Sequence, residues 1–416
     1  MPSFSIPVSG LEASNQALSI ISNNLANMNT VGYKGISPEF ADLLYQQLGS
    51  SGGGNPIEAG LGVKLDATST NFTQGNVQST GVSTDVAIEG DGFFQVDSGA
   101  VAQYTRDGNL SINPQGQLVT QDGANVMGYL ATNGIVNNNG VLSPLAINRG
   151  QIDPPQSTQN VQVNMNLDSS ALTTSPAFNT TVEIYDSLGT SHLLTYSFTK
   201  AAANSWNYSI TIPQADMTGA TGPVTLSSGT LTFNGAGQLT APAGNVTGIN
   251  MNATYGFADG ASNQKFNWNL YDASKNPLVS QVAGTSEASS ATQDGFASGS
   301  LSTFSIQSDG TIQGSFTNGQ TLAIGQIALA TFPNSQGLLR IGSNNYMASL
   351  ASGLPTVGVP GTGGRGTLTG GGLEGSNVDI SSQFSNLILQ QTGYEANAKA
   401  FTTFNSVVQA TLNMIP

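Results

Sequence analysis

Cysteine is absent from this sequence. That removes disulfides, thiol nucleophiles and cysteine metal sites together, so any extracellular role is filled without covalent staples. Charge is scarce too: only 8% of residues are Asp, Glu, Lys or Arg, against roughly 25% in an ordinary soluble domain. Cations are the scarcest, with 10 Lys and Arg facing 24 Asp and Glu for a net charge of -14. No nucleic-acid partner is therefore expected, because clustered cations must displace counterions there, nor an anionic membrane surface. No apolar run reaches about 18 residues, so no membrane insertion is expected. The opening "MPSFSIPVSG" has neither the basic nor the apolar region of a cleaved secretory signal.

Gly, Ser, Thr, Asn and Gln fill the place of charge, with 51 glycines in 416 residues. Such a chain invites disorder, but β-branched and aromatic residues recur in alternating runs throughout, and disordered chains lack these. At about 100–200 residues per domain, the length suggests several domains with real cores.

The fold class expected is mainly β with α-helical termini. Near the start, Leu11, Leu18 and Leu25 interleave with Ser14, Ile21 and Met28 in alternating three- and four-residue steps, the seam of a coiled coil, and Gly32 is a plausible stop. Near the end, Ile380, Phe384, Leu387, Gln391, Tyr394, Ala398, Phe401, Asn405, Val408 and Leu412 repeat that alternation, behind Ser and Asp residues suited to an N-cap. Between them lie short alternating segments punctuated by hairpin dipeptides such as Asp107-Gly108, Asn133-Gly134, Asp309-Gly310 and Asn318-Gly319. Gly-rich stretches at 49–56 and 358–372 read as flexible linkers. "GQIDPPQSTQN" and "AGTSEASSATQDG" flank a block holding both tryptophans, Trp206 and Trp268. The expected organisation is nested: terminal helices at 1–33 and 373–416, connecting linkers at 34–71 and 356–372, an inner β domain at 72–149 and 289–355, and an inserted outer β domain at 150–288.

Signs of chemistry are few. The one histidine, His192, has no marked serine or ligand cluster beside it, and scattered carboxylates do not supply a zinc set, so no catalytic residue, metal or cofactor is expected. "GTGGRG" matches a dinucleotide fingerprint only formally, since prolines precede it and more glycine follows. Asp85, Glu89, Asp91 and Asp97 miss the calcium-loop pattern and suit a strand, a Gly-Asp-Gly turn and another strand. The terminal segments stand out instead. From Met1 to Tyr33 the only charged side chain is Glu12, and from Ile380 to Pro416 there are only Glu395 and Lys399. Asn23, Asn24 and Asn27 stand where a solvated helix would carry Glu and Lys. Uncharged amides suit faces that pack against other protein surfaces, where an unpaired charge is costly to desolvate.

Four segments carry a family resemblance. "SNNLANMNTVGYK" (22–34), "TDVAIEGDGFFQV" (84–96), "YTRDGNLSINPQGQLVTQDGANVMGY" (104–129) and "LEGSNVDISSQFSNLILQQTGYEANAKAF" (373–401) occur in the order found in the flagellar rod and hook axial proteins, which this chain resembles. Together they cover about a fifth of the chain. The length and the inserted block resemble the hook branch of that family. The resemblance implies a non-enzymatic, extracellular subunit exported without a cleaved signal. It implies a homopolymer forming a curved, flexible tube that passes motor torque from rod to filament, with the rod, hook cap, hook-filament junction proteins and export apparatus as partners. Carried onto this sequence, the assembly interface falls on Leu11, Leu18, Ile21, Asn23, Asn24, Leu25, Asn27, Met28, Phe384, Leu387, Tyr394, Phe401, Val408 and Leu412, and the family turn on Gly32, Tyr33 and Lys34. Two alternatives stand beside it: a distal rod subunit, and a secreted adhesin or carbohydrate binder using Trp206 or Trp268 as a stacking platform.

Overall fold

Two helices bracket the chain: α1, Ser5–Ala26, and α2, Ile380–Asn413. Among the described residues all other regular structure is strand, apart from two short 3-10 turns. The structure, a computed structural model, describes residues 4–99, 101–148, 150–251 and 255–414. The chain divides into two compact units, one of residues 1–149, 303–315 and 321–416, the other of residues 150–302 and 316–320.

The first unit contains both helices. Asp379 caps α2, its carboxylate accepting from the Ser382 N–H at 2.7 Å. After α1 the chain forms two antiparallel hairpins. β1 (Ile36–Asp42) pairs with β4 (Val63–Thr70), and between them β2 (Tyr45–Ser50) pairs with β3 (Pro56–Gly60). The span 34–71, expected as a linker, is therefore largely strand; Gly52, Gly53 and Gly54 sit at the hairpin tip and Gly49 at a bulge rather than along a coil.

The main sheet of this unit runs Thr311–Phe316, Thr321–Ile327, Asn125–Thr132, Phe93–Asp97, Ala102–Thr105, Asn345–Met347 and Leu339–Gly342, antiparallel throughout. Asn133-Gly134 makes the tight hairpin its sequence promises, both residues at positive φ. Asp107-Gly108 does not. Gly108 lies where a Cβ would stand 1.5 Å from the Val86 carbonyl, so glycine is required there for close approach and not for a turn. The returning chain pairs Thr367–Gly370 with Val86–Glu89, and Gly372–Glu374 with Val77–Ser79. Phe72, Phe93, Tyr104, Phe332 and Tyr346 meet edge to face or tilted at 4.8–6.0 Å.

The second unit has two sheets. One is a meander of Phe178–Tyr185, Ser191–Ala202, Ser205–Ile212, Val224–Phe233 and Leu239–Ala241. In the other, Asn160–Asn166 lies parallel to Lys265–Asn269 and Val279–Ser280 and antiparallel to Glu287–Gln293. Burial alternates strictly from Ser191 to Ala201 and along Ser205–Ile212, as period-2 strands with one face in a core require. That core centres on Trp268, fully buried among Tyr196, Phe198 and Tyr208 with ring centroids 5.1–6.0 Å away. Trp206 is buried as well and donates its indole N–H to Gln281 Oε1 at 3.0 Å. Both tryptophans are core residues, so neither is the exposed stacking platform that the adhesin alternative assigned to them.

Candidate functional site: the helix pair and its buried joint

The helices run antiparallel. Phe4 meets the rings of Phe401 and Phe404 at 5.8 and 6.3 Å, Gly10 faces Asn397, Ser14 lies by Gly393, and Asn24 Nδ2 donates to Gln383 Oε1 at 3.3 Å. A Cβ on Gly10 would fall 2.7 Å from the Asn397 side chain, so this glycine sets how closely the helices approach.

The buried face of α1 is Pro7, Gly10, Ala13, Ser14, Ala17, Ile21 and Asn24. Ser14 and Ile21 belong to the seam expected from the sequence. Leu11, Leu18, Leu25 and Met28 are half-buried beside it, as is Asn27, while Asn23 is exposed. A heptad search weights large apolar residues, whereas the contact is built on small ones that let the backbones close up. On α2 no residue is buried. Gln383, Leu387, Gln390, Asn397, Ala400, Phe404 and Val408 are half-buried. Phe384, Ile388, Leu389, Tyr394, Phe401, Val407 and Leu412 are exposed, Leu389 at 65% and Leu412 at 62%. A 34-residue helix with its leucines in water is a helix without all its partners.

Where α1 ends, the family turn forms a polar joint. Gly32 takes φ +67°, and its N–H donates to the Glu374 carbonyl at 2.8 Å. Tyr33 donates its hydroxyl to Asn24 Oδ1 at 3.1 Å, and Asn24 also spans the Ile36 backbone, donating to its carbonyl and accepting from its N–H. Lys34 is fully buried. Its Nζ donates to Glu374 Oε1 at 2.7 Å and to the Thr73 carbonyl at 2.8 Å. Arg106 reaches the other carboxylate oxygen, Oε2, at 3.3 Å, donates to the Gly90 carbonyl at 2.8 Å, and lies over the Phe93 ring. Gly75 N–H completes the shell around Oε1 at 2.8 Å. Burial pushes the Lys34 pKa down, against the opposing pull of Glu374.

Arg340 donates to the Lys34 carbonyl at 2.6 Å and stacks over Tyr33 and Tyr346. Asn377 ties the Gly35 N–H to the carbonyls of Asn71 and Thr73, and Asn344 donates to the Val31 carbonyl. The joint thus gathers chain from both ends and the middle of this unit. Gly32, Tyr33 and Lys34 were legible from the sequence; Glu374, Arg106, Arg340, Asn344 and Asn377 were not. Glu374 and Arg106 did lie inside the segments that carried the resemblance, "LEGSNVD" and "YTRDG", but nothing local links the two.

Comparison with known proteins agrees with this architecture. Residues 5–34 match the flagella basal body rod protein family, 87–166 the flagellar hook protein FlgE/F/G D1 domain, 171–296 the flagellar basal body protein FlaE D2 domain, and 369–414 the flagellar basal body rod FlgEFG protein C-terminal family. The flagellar hook protein FlgE of Treponema pallidum is 33% identical over 98% of each chain. That of Salmonella typhimurium is 33% identical over 99% of this chain and 100% of its own. The crystal structure of Helicobacter pylori flagellar hook protein FlgE2 superposes with a TM-score of 0.50 over 70% of this chain and 98% of that one, a likeness of fold at 15% identity. With terminal helices, inner β region and inserted β block each matched in order, and full-length relatives above 30% identity, the chain belongs to the flagellar hook protein FlgE family.

Proposed function

We propose that this chain is a structural subunit of the bacterial flagellar hook, polymerising into a curved, flexible tube that passes torque from rod to filament outside the cell. The observation that carries the proposal is α2: Phe384, Ile388, Leu389, Tyr394, Val407 and Leu412 are exposed in the single chain, and its amide-rich faces lack the charge a solvated helix needs. Burying one Leu, Ile or Phe contributes about 1.5–3 kcal/mol, so repeated contacts between copies supply ample drive. The same patch meeting a different patch on the next copy gives an open helical assembly rather than a closed ring.

In this assembly Leu11, Leu18, Leu25 and Met28 on α1 and Phe384, Tyr394, Phe401 and Leu412 on α2 meet neighbouring copies, and the helices form the inner tube. The β regions form outer layers, with Lys34, Arg106 and Glu374 fixing the helix pair to the inner one. Rod, hook cap, junction proteins and the export apparatus are the further partners, and export proceeds without a cleaved signal.

The test is to replace Phe384, Leu389 and Leu412 together by Ser in the full chain and follow assembly by sedimentation and electron microscopy. The unaltered chain is expected to form curved tubes while the triple variant stays a folded monomer. Tube formation by the variant at the same protein concentration would overturn the proposal.

A further inference from the structure

The sequence offers His192 no ligand set, yet the fold assembles one in the second unit. Asp186 closes the turn after Phe178–Tyr185, His192 opens the next strand, Asp216 lies in a 3-10 turn, and Asp259 sits in the loop before Lys265–Asn269. His192 Nε2 stands 3.0 Å from Asp186 Oδ2, and donor atoms of Asp186, His192 and Asp259 all lie within 4.8 Å of one another. We propose that the Asp186, His192 and Asp259 side chains bind a divalent transition-metal ion, Zn(II) foremost, with Asp216 orienting the imidazole. The proposal is independent of the assembly interface.

Each donor is held in place. The N–H groups of Leu188 and Thr190 fix Asp186 Oδ1 at 2.8 and 2.9 Å, leaving Oδ2 for the cluster. Phe257 stacks on the His192 ring at 4.7 Å, and the Ala258 N–H donates to the Asp216 carbonyl, tying the Asp259 loop to the 3-10 turn. Asp186 is fully buried and His192 nearly so. Carboxylates packed together without compensation are costly. Here three converge on one imidazole, and no lysine or arginine among the described residues is ion-paired with them.

The imidazole points to a ligand independently. Its Nδ1 is buried and 3.3 Å from Asp216 Oδ2, yet too poorly aligned to form a hydrogen bond. Its Nε2 does form one, with Asp186 Oδ2, and because a carboxylate only accepts, that contact holds the metal-free ring's proton on Nε2. A metal on Nε2 would displace that proton and turn Nδ1–H toward Asp216, in the carboxylate-histidine-metal arrangement that orients most ligating imidazoles. The Ala261 N–H holds Asp259 Oδ1 at 3.0 Å. Zinc bonds of about 2.0–2.2 Å place tetrahedral donors about 3.4 Å apart, within reach of these side chains. One imidazole with carboxylates suits Zn(II), and Mn(II) less well.

The test uses the full chain, stripped with a chelator and re-equilibrated with Zn(II) alone. Bound metal is read by mass spectrometry and unfolding by tryptophan fluorescence, which reports the second unit because Trp206 and Trp268 both lie there. Expected are one zinc per chain and a higher fluorescence midpoint with zinc than without it; Asp259→Asn is expected to bind no zinc and to show the same midpoint with and without it. Asp216→Asn is expected to weaken zinc binding about 10- to 100-fold while keeping the site. Zinc binding and midpoint indistinguishable between the unaltered chain and both variants would overturn the proposal, leaving an ion-paired histidine.

Discussion

The second unit and the helix pair satisfy their apolar residues in opposite ways. The second unit is closed on itself, with two sheets enclosing Trp268, Tyr196, Phe198 and Ile210 and its central strands alternating in and out from His192 to Lys200 and from Ser205 to Ile212. The helix pair is open: α1 buries a narrow face of small residues, and α2 buries no residue fully. A domain whose stability is internal tolerates change on its outer face. An element finished only by neighbours concentrates its energetics in association, so the same kind of substitution should read out in different assays in the two places.

The largest effect expected is Trp268→Ala, at about 3–5 kcal/mol of the second unit's stability. Its fluorescence transition, then reporting Trp206 alone, moves to lower denaturant while hydrogen exchange in α1 stays unchanged. Glu374→Ala is comparable in size but falls on the other region, because it leaves Lys34 and Arg106 buried without their carboxylate, at about 3–5 kcal/mol. Faster exchange in α1 and α2 with an unmoved tryptophan transition is the outcome to look for. A shift in both transitions would show that the regions do not act separately.

Smaller, and confined to association, is Leu389→Ser. The monomer's stability should change by less than about 0.5 kcal/mol, whereas the concentration needed for tubes rises about 10- to 100-fold as one buried leucine is lost per contact. Smaller still is Asp379→Ala, which removes the α2 cap for about 1 kcal/mol, visible as fraying of the first turn.

Alkali is the perturbation expected to reach both regions. Burial raises the pKa of Tyr33, Tyr104 and Tyr346 in the first unit and of Tyr196 in the second. The folded state keeps these protons longer than the unfolded state, so their contribution is intact below about pH 10 and is lost as pH rises through the raised values. Lys34 works in the other direction: its lowered pKa makes stability recover as pH rises through that value, which partly offsets the tyrosines near the joint. Denaturant midpoints measured on either side of pH 10 check the sign.

The sequence disclosed most where local pattern and tertiary role coincide. The capped α2, the Asn133-Gly134 hairpin and the alternation from Ser191 to Ala201 all follow from periodicity and turn chemistry. It disclosed least where a residue acts across long separations. Nothing local marks Glu374 as the acid between Lys34 and Arg106, or Asp216 and Asp259 as neighbours of His192. Glycine misled in two ways. Gly108 looked like a turn and serves close approach, while the glycine-rich stretch after Leu48 looked like coil and forms the tip of a hairpin whose strand β2 is exposed along its length. Small residues misled in the helices too, since Gly10 and Ala17 outrank Leu11 and Leu18 at the contact.

The ion pair between Lys34 and Glu374 joins residues 340 positions apart. Closing a structureless loop of that length costs on the order of 5 kcal/mol, and the pair cannot exist until nearly the whole chain is present. Whichever end leads as the polypeptide emerges from a channel or a ribosome, the first helix has nothing to lie against until the other end follows. The intervening β-sheets shorten the loop as they fold, so the joint is expected to form late and the association surface last. A subunit still in transit thus carries no finished helix pair with which to polymerise early, and the position of one carboxylate along the chain acts as a clock for assembly.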